Sequence, residues 1–269
     1  VAAFGIPTAA GDSMIKKAKF PSLEGKCVFI TGGGSGIGES MVEEFAAQGA
    51  KVAFVDIAQE ASEALCARVA AAGHRTPLFR RCDITDIAAL QATIAELSAE
   101  LGGDFDVLVN NAANDQRHKT EDVTVGFYDN CIAINQRPMF FTCQAVFEGM
   151  KKKGAGSIIN ISSMSFHAKN GGYPVYATTK AAVIGLTRGL ARDFGAFGIR
   201  VNTVTPGWVI TQRQKDLWLD EAGKEEIRRA QCVPGQMQSY DISAMVLFLA
   251  ADDSAMCTAQ EFIVDAGWV

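Results

Sequence analysis

Seven short β-branched or apolar runs, separated by helix-period segments, constrain this chain more than any other feature. The strand-like runs are 27–31 (CVFIT), 51–56 (KVAFVD), 77–82, 106–110 (DVLVN), 156–162 (GSIINIS), 199–205 (IRVNTVT) and 261–265. Helical periodicity fills the intervals near 37–48, 59–72, 86–101, 123–150, 175–196 and 239–251. Near-continuous apolar strands alternating with helices predict a parallel sheet covered on both faces. Right-handed crossovers then make it an α/β, doubly wound Rossmann fold with a seven-stranded parallel sheet. At 269 residues and 48% hydrophobic content, the chain can bury that sheet in one domain over 23–269, with 1–22 as an N-terminal arm. The one long irregular stretch, 207–238, is rich in Gln, Arg, Lys and Trp and reads as a substrate loop, since connections of that length are often lids.

Charge and cysteine usage narrow the partners. A net charge of −5 gives no positive field for a phosphate backbone, so nucleic acid is not expected. The short basic run Lys151–Lys152–Lys153 reads as the end of a helix, where cations complement exposed carbonyls. Seven cysteines without C-x-x-C spacing read as buried thiols in a reducing cytoplasm. They show no ligand spacing with the three histidines, so no metal is expected. No apolar run reaches the roughly 18 residues of a membrane span, so a membrane location is not expected.

The first strand runs directly into TGGGSGIGES, from Thr31 to Ser40, and a helix begins there. Glycines at such a turn let the backbone approach a pyrophosphate, and the amides of the helix start hold the anion. A P-loop is excluded because no Gly-Lys-Ser/Thr follows, and G-x-G-x-x-G also fails. The spacing that fits is T-G-x-x-x-G-x-G, through Gly32, Gly36 and Gly38, with Ser35 and Ile37 between them. Asp56 ends the second strand about 20 residues downstream, where a carboxylate accepts ribose hydroxyls and repels a 2′-phosphate. Neither Ser35 nor Ile57 offers a cation, so NAD is favoured over NADP. A second question is posed by Tyr176 and Lys180, which stand at i and i+4 and therefore share one helix face.

With TGGGSGIG, CDI (82–84), NNAA (110–113) and YATTK (176–180) in this order, the chain resembles the short-chain dehydrogenase/reductase family over residues 23–269. The resemblance implies that Asp83 and Ile84 flank adenine, and that Asn111, Ala112 and Ala113 line the cofactor after the fourth strand. In TPGWVIT (205–211), Pro206, Gly207 and Val209 match the segment that holds the nicotinamide. Ala113 stands where the family most often has glycine, which should narrow the pocket. The resemblance makes Tyr176 the general acid/base, with Lys180 lowering the phenol's proton affinity and binding the nicotinamide ribose. Ser163, thirteen residues before Tyr176, has the spacing of the hydroxyl that binds the reacting oxygen, and its neighbour Ser162 should face the other way. Asn135 matches the asparagine that opens the helix and holds a water leading from Lys180, and Pro138 supports such a break.

The substrate has to be read from the rim. Asn114, Asp115 and His118 in NDQRH, Ser165 and His167 after the fifth strand, and Trp208 offer polar groups and an aromatic plate, which suit a polyhydroxylated ring. NDQRHKTEDVT, AQCVPG and CTAQEFIVDAGWV resemble the sugar 1-dehydrogenases within the family, the bacterial type acting on D-xylose, L-arabinose or L-fucose. Oxidation of the anomeric carbon to an aldonolactone is the implied reaction. A reductase of another ketone and a catalytically silent NAD-binding scaffold stand as alternatives. Ala177, Ala181, Gly185 and Gly189 put a small residue every four positions along one helix, and the family resemblance implies a homotetramer. Trp268 in the C-terminal tail is expected over a neighbouring subunit's site.

Overall fold

The computed structural model describes residues 17–269. Its strands are β1 (Cys27–Thr31), β2 (Lys51–Asp56), β3 (Leu78–Arg81), β4 (Val107–Asn110), β5 (Gly156–Ile161), β6 (Ile199–Pro206) and β7 (Glu261–Val264). They form one parallel sheet in the order β3-β2-β1-β4-β5-β6-β7. The nine α-helices of the described residues are α1 (Gly36–Ala47), α2 (Gln59–Ala71), α3 (Ile87–Leu101), α4 (Val125–Asn135), α5 (Arg137–Lys153), α6 (Pro174–Phe194), α7 (Gln212–Leu217), α8 (Glu221–Ala230) and α9 (Ser239–Ala250).

The central strands β1, β2 and β4 are almost wholly apolar because alternate residues serve two separate cores. Val28 and Ile30 of β1 join one cluster with Met41, Val42 and Phe45 of α1 and Ile242 and Val246 of α9. Phe29 of the same strand joins the other, with Leu90, Ile94 and Leu97 of α3, Val146 and Met150 of α5, and Leu190 and Phe194 of α6. Burial on both faces leaves no solvent side to carry polar residues, which explains the missing alternation. The strand order reverses between β1 and β4, so a crevice opens beyond their carboxyl ends.

Three features depart from the sequence reading. The expected helix over 123–150 is two helices, broken at Gln136 with φ −126° and ψ −56°, and Pro138 sits in the first turn of the second. The stretch 207–238 is not irregular throughout, since it carries α7 and α8. Cys27, Cys82, Cys131 and Cys143 are buried free thiols, but Cys232 is exposed and Cys66 and Cys257 are half-buried. Residues 1–16 of the arm lie outside the described residues. Its end is held against α1: Gln48 donates to Ala18 O at 2.9 Å and accepts from Phe20 N at 2.9 Å. The basic run ends α5, and Gly154 follows it in the left-handed conformation.

Candidate active site

At the crevice, Gly32 and Gly38 press the first turn into contact distance with its surroundings. Gly32 has φ +67°, and a Cβ there would lie 2.8 Å from Ala112 Cα. A Cβ on Gly38 would lie 1.8 Å from Gly32 O, so α1 can start this close to β1 only with hydrogen at that position. Thr31 and Asn111 lock the turn to β4. Asn111 N and Ala112 N donate to Thr31 Oγ1 at 3.0 and 3.1 Å, and Asn111 Nδ2 donates to Gly32 O at 2.9 Å. Asn111 therefore buttresses the cradle, a role that residue type alone does not reveal.

Asp56 lies at the rim of the same cradle. Its Oδ2 accepts from Gly34 N at 2.8 Å and its Oδ1 from Ala58 N at 2.9 Å, which aims the carboxylate and leaves each oxygen a second lone pair. The close-packed glycine cradle, the helix start at Gly36 between the N-cap Ser35 and Ile37, and this aimed carboxylate fit a dinucleotide. Arg81 was not anticipated here. The β2–β3 register sets it beside Asp56, and its Nε donates to Ile57 O at 3.3 Å, so a cation does stand at this corner. Asp83 accepts from Thr85 N and Thr85 Oγ1 at 2.9 and 2.8 Å and shapes the turn after β3, while Ile84 packs on the α3 core.

The second half of the site is the end of β5 facing α6. Ser162 is buried and donates to Lys180 O at 2.8 Å, whereas Ser163 is half-buried and its hydroxyl is near enough to the Tyr176 phenol to oppose that phenol's upward shift. The strand's alternation separates the two serines as expected. Lys180 is 1% exposed, its Nζ donates to Ile161 O at 2.9 Å, and it lies 5.7 Å from the centre of the Tyr176 ring. Burial drives both groups toward their neutral forms. It pushes the Tyr176 phenol up, against the Ser163 hydroxyl and with help from Asp115 and Tyr173. It brings Lys180 down from 10.5 to about 8, with Asp115 pulling the other way. Desolvation is the largest influence on the phenol in the protein without cofactor.

Asn135, fully buried at the helix break, accepts from Asn114 N at 2.7 Å and donates to Asn114 O at 3.1 Å. Its side chain fastens the rim loop. Several rim residues are engaged by the protein itself. Asp115 accepts from Arg213 and Gln214 of α7 at 3.1 and 3.0 Å. His118 Nε2 accepts from Val175 N at 3.3 Å, fixing the loop to α6. His167 pairs at 2.8 Å with Glu261 of β7, which also accepts from Thr205. Ser165 is buried with its hydroxyl unpartnered, and its amide donates to Ser163 Oγ at 3.2 Å. Trp208 donates to Gln214 at 3.0 Å, and Trp268 lies 6.2 Å from Trp208 in its own chain.

After β6, Pro206 pairs with Val264, and Gly207 N donates to Val264 O at 2.8 Å. A Cβ on Gly207 would lie 2.6 Å from Asp265 Cα, and Val209 bridges Met237, so this segment is pinned to the tail and to the end of the 207–238 stretch. Arg117, Arg213, Gln214 and Trp218 carry no motif, and only their proximity in the fold reveals them.

Comparisons with known proteins agree with this architecture. A family model described as "Enoyl-(Acyl carrier protein) reductase" matches residues 32–269. The chain is 47% identical over 254 residues to a D-xylose 1-dehydrogenase of Caulobacter vibrioides, covering 94% of this chain and 100% of that one. It is 45% identical over 253 residues to a protein of Rhizobium meliloti described as "Probable galactose dehydrogenase GalD", covering 94% and 98%. A short-chain dehydrogenase/reductase structure from Serratia marcescens superposes with a TM-score of 0.85 at 33% identity, covering 92% and 99%. From the glycine turn to the C-terminal tail, then, the chain belongs to the short-chain dehydrogenase/reductase family.

Proposed function

We propose that this protein is an NAD-dependent sugar 1-dehydrogenase. It oxidises an aldose, a pentose or 6-deoxyhexose such as D-xylose, L-arabinose or L-fucose, at C1 to the aldonolactone. The observation that carries this reading is the convergence of Ser163, Tyr176 and Lys180 beside the glycine cradle, in a chain 47% identical to a D-xylose 1-dehydrogenase. Members of the family use NAD(P), and that cofactor supplies the hydride acceptor when bound.

Gly32, Gly36 and Gly38 allow the tight turn whose helix-start amides would hold its pyrophosphate, and Asp56 has free lone pairs for a ribose hydroxyl. Ser163 holds the C1 oxygen of the sugar while Tyr176 takes its proton. Lys180, at about 8, takes up and releases protons near neutral pH and passes them outward past the helix break at Asn135. The proton leaves the C1 hydroxyl and the hydride leaves C1, so the product carries a C1 carbonyl in the ring. Asn114, Ser165 with its unpartnered buried hydroxyl, and Trp208 are the rim groups assigned to the remaining sugar hydroxyls and the ring face.

A homotetramer suits the exposed small-residue face of α6, where a Cβ on Gly185 or Gly189 meets nothing within 4 Å. The seven free thiols fit a reducing compartment, the cytoplasm. No helix of the described residues is long and apolar enough to cross a membrane.

The testing experiment follows reduced nicotinamide with NAD or NADP against D-xylose, L-arabinose, L-fucose, D-galactose and D-glucose. Turnover of one or two sugars with NAD is the expected result. Silence across the panel would remove the sugar reading. Preference for NADP would mean that Arg81 outweighs Asp56 at the ribose corner.

A further inference from the structure

The loop 114–118 ties together the elements around the cleft. Asn114 fastens it to the end of α4 through both atoms of the Asn135 amide. His118 fastens it to the front of α6, with its N–H donating to Gly172 O at 2.7 Å and its ring accepting from Val175 N at 3.3 Å. Between these anchors, Asp115 and Arg117 reach α7. Asp115 Oδ1 accepts from Arg213 Nε at 3.1 Å and Oδ2 from Gln214 Nε2 at 3.0 Å, and Gln214 in turn accepts from Trp208 Nε1 at 3.0 Å. The Arg117 guanidinium lies 4.2 Å from the centre of the Trp218 ring and 5.6 Å from that of Tyr173, whose ring is 6.0 Å from Tyr176. One residue grips α7 at its start and the other just beyond its end.

The six residues of α7 need such grips. None of them is buried, so the helix has no apolar face to hold it to the domain, and so short a helix does not stand alone in water. Its approach is fixed where Ile210 N donates to Met237 O at 2.9 Å, and α8 buries Ile227. Between those fixed ends, side-chain contacts with the 114–118 loop decide where α7 lies. The ion pair is partly exposed, with Arg213 at 55% and Asp115 at 32%, so a single pair biases the closed position by about fivefold or less. A second grip and the Trp208–Gln214 link are what make closure more than marginal.

We propose that Asp115 and Arg117 are positioning residues that clasp α7 over the substrate cleft, joining the lid to the loop that Asn135 and α6 hold in place. This rests on reading the cleft as the substrate site. In that role Asp115 acts through Arg213 and Gln214, and its effect on sugar binding is the fraction of molecules whose lid is closed.

The test uses the full chain with Asp115→Ala, Arg117→Leu, Arg213→Ala and the Asp115→Ala/Arg213→Ala double variant. Amide hydrogen exchange across 208–218 is read without sugar. Exchange there is expected to speed by about fivefold in each single variant, and the double variant by no more than about twofold beyond its worse parent, because both changes remove one contact. With a sugar that turns over, KM is expected to rise by up to about fivefold while kcat stays within about twofold. Asp115→Asn, which keeps the shape and one acceptor, serves if the alanine variant does not fold, and should lie between it and the parent. Unchanged exchange in all variants overturns the clasp. A rise in KM without faster exchange also overturns it, making Asp115 a direct sugar contact. If no sugar turns over, exchange alone still decides the clasp, and only the substrate reading fails.

Discussion

The glycine turn and the α7 lid border one cleft and are held by opposite means. On the cofactor side, backbone meets backbone: Gly32 N and Gly33 N donate to Val55 O at 2.8 and 3.3 Å, and Gly38 approaches Gly32 O. On the lid side, long side chains reach across: Asp115 to Arg213 and Gln214, and Arg117 to Trp218. Where main chains must come that close, only glycine serves, and the requirement is written into residue type. Where side chains bridge a gap, many residue pairs would do, and nothing local announces them.

The residues proposed for catalysis should show the largest effect. Tyr176→Phe is expected to cut kcat by about a thousandfold while leaving the melting temperature and NAD binding near those of the parent. A variant with turnover intact would remove the phenol from the chemistry. Next comes the turn itself. Gly38→Ala drives a methyl into Gly32 O and should cost about 1–3 kcal/mol with loss of NAD affinity, read by denaturant melts and by cofactor titration. The matching change in the lid, Leu217→Ala, alters a side chain in an element without buried residues and should stay within about 0.5 kcal/mol. Equal effects at the two positions would mean that the turn and α7 are held by the same means.

Lys180 sharpens the comparison differently, because its burial works against stability. Its proton affinity is lower in the folded chain, at about 8 against 10.5, so the unfolded chain binds more protons between those values. Stability due to this group therefore rises with pH through that window and is at its lowest, by about 3 kcal/mol, below it. Lys180→Met should abolish turnover, raise stability at neutral pH by about 2 kcal/mol after the loss of the bond to Ile161 O, and flatten that rise. Melts on either side of the window, compared with the parent, check the sign. The smallest effect is expected for Gly185→Ala, which meets nothing in its own chain and should gain about 0.8 kcal/mol of helix propensity as a monomer. A weakened tetramer in sedimentation would place a second copy against that face.

Strand positions, the sheet's double cover and the glycine turn were legible because each is imposed by local chemistry: continuous apolar runs, helix periods, and glycine at a close approach. The four catalytic candidates could be placed by spacing and family resemblance; the thirteen-residue spacing chose Ser163, and strand alternation required only that Ser162 face the other way. What spacing missed has one character. His118 and His167 have the composition of a sugar rim, but in the fold they accept from Val175 and pair with Glu261, because distant segments supply those partners. Arg81 stands beside Asp56 only through the β2–β3 register.

Period, residue size and short separations along the chain were enough for the layered architecture and the glycine turn, and for naming the candidates proposed as reacting groups. Only the tertiary structure decided which rim side chains stay free, how burial weakens Lys180 and raises Tyr176, and what holds the lid. Those properties depend on contacts between residues such as Asp115 and Arg213, far apart in the chain, and on the dielectric their packing creates.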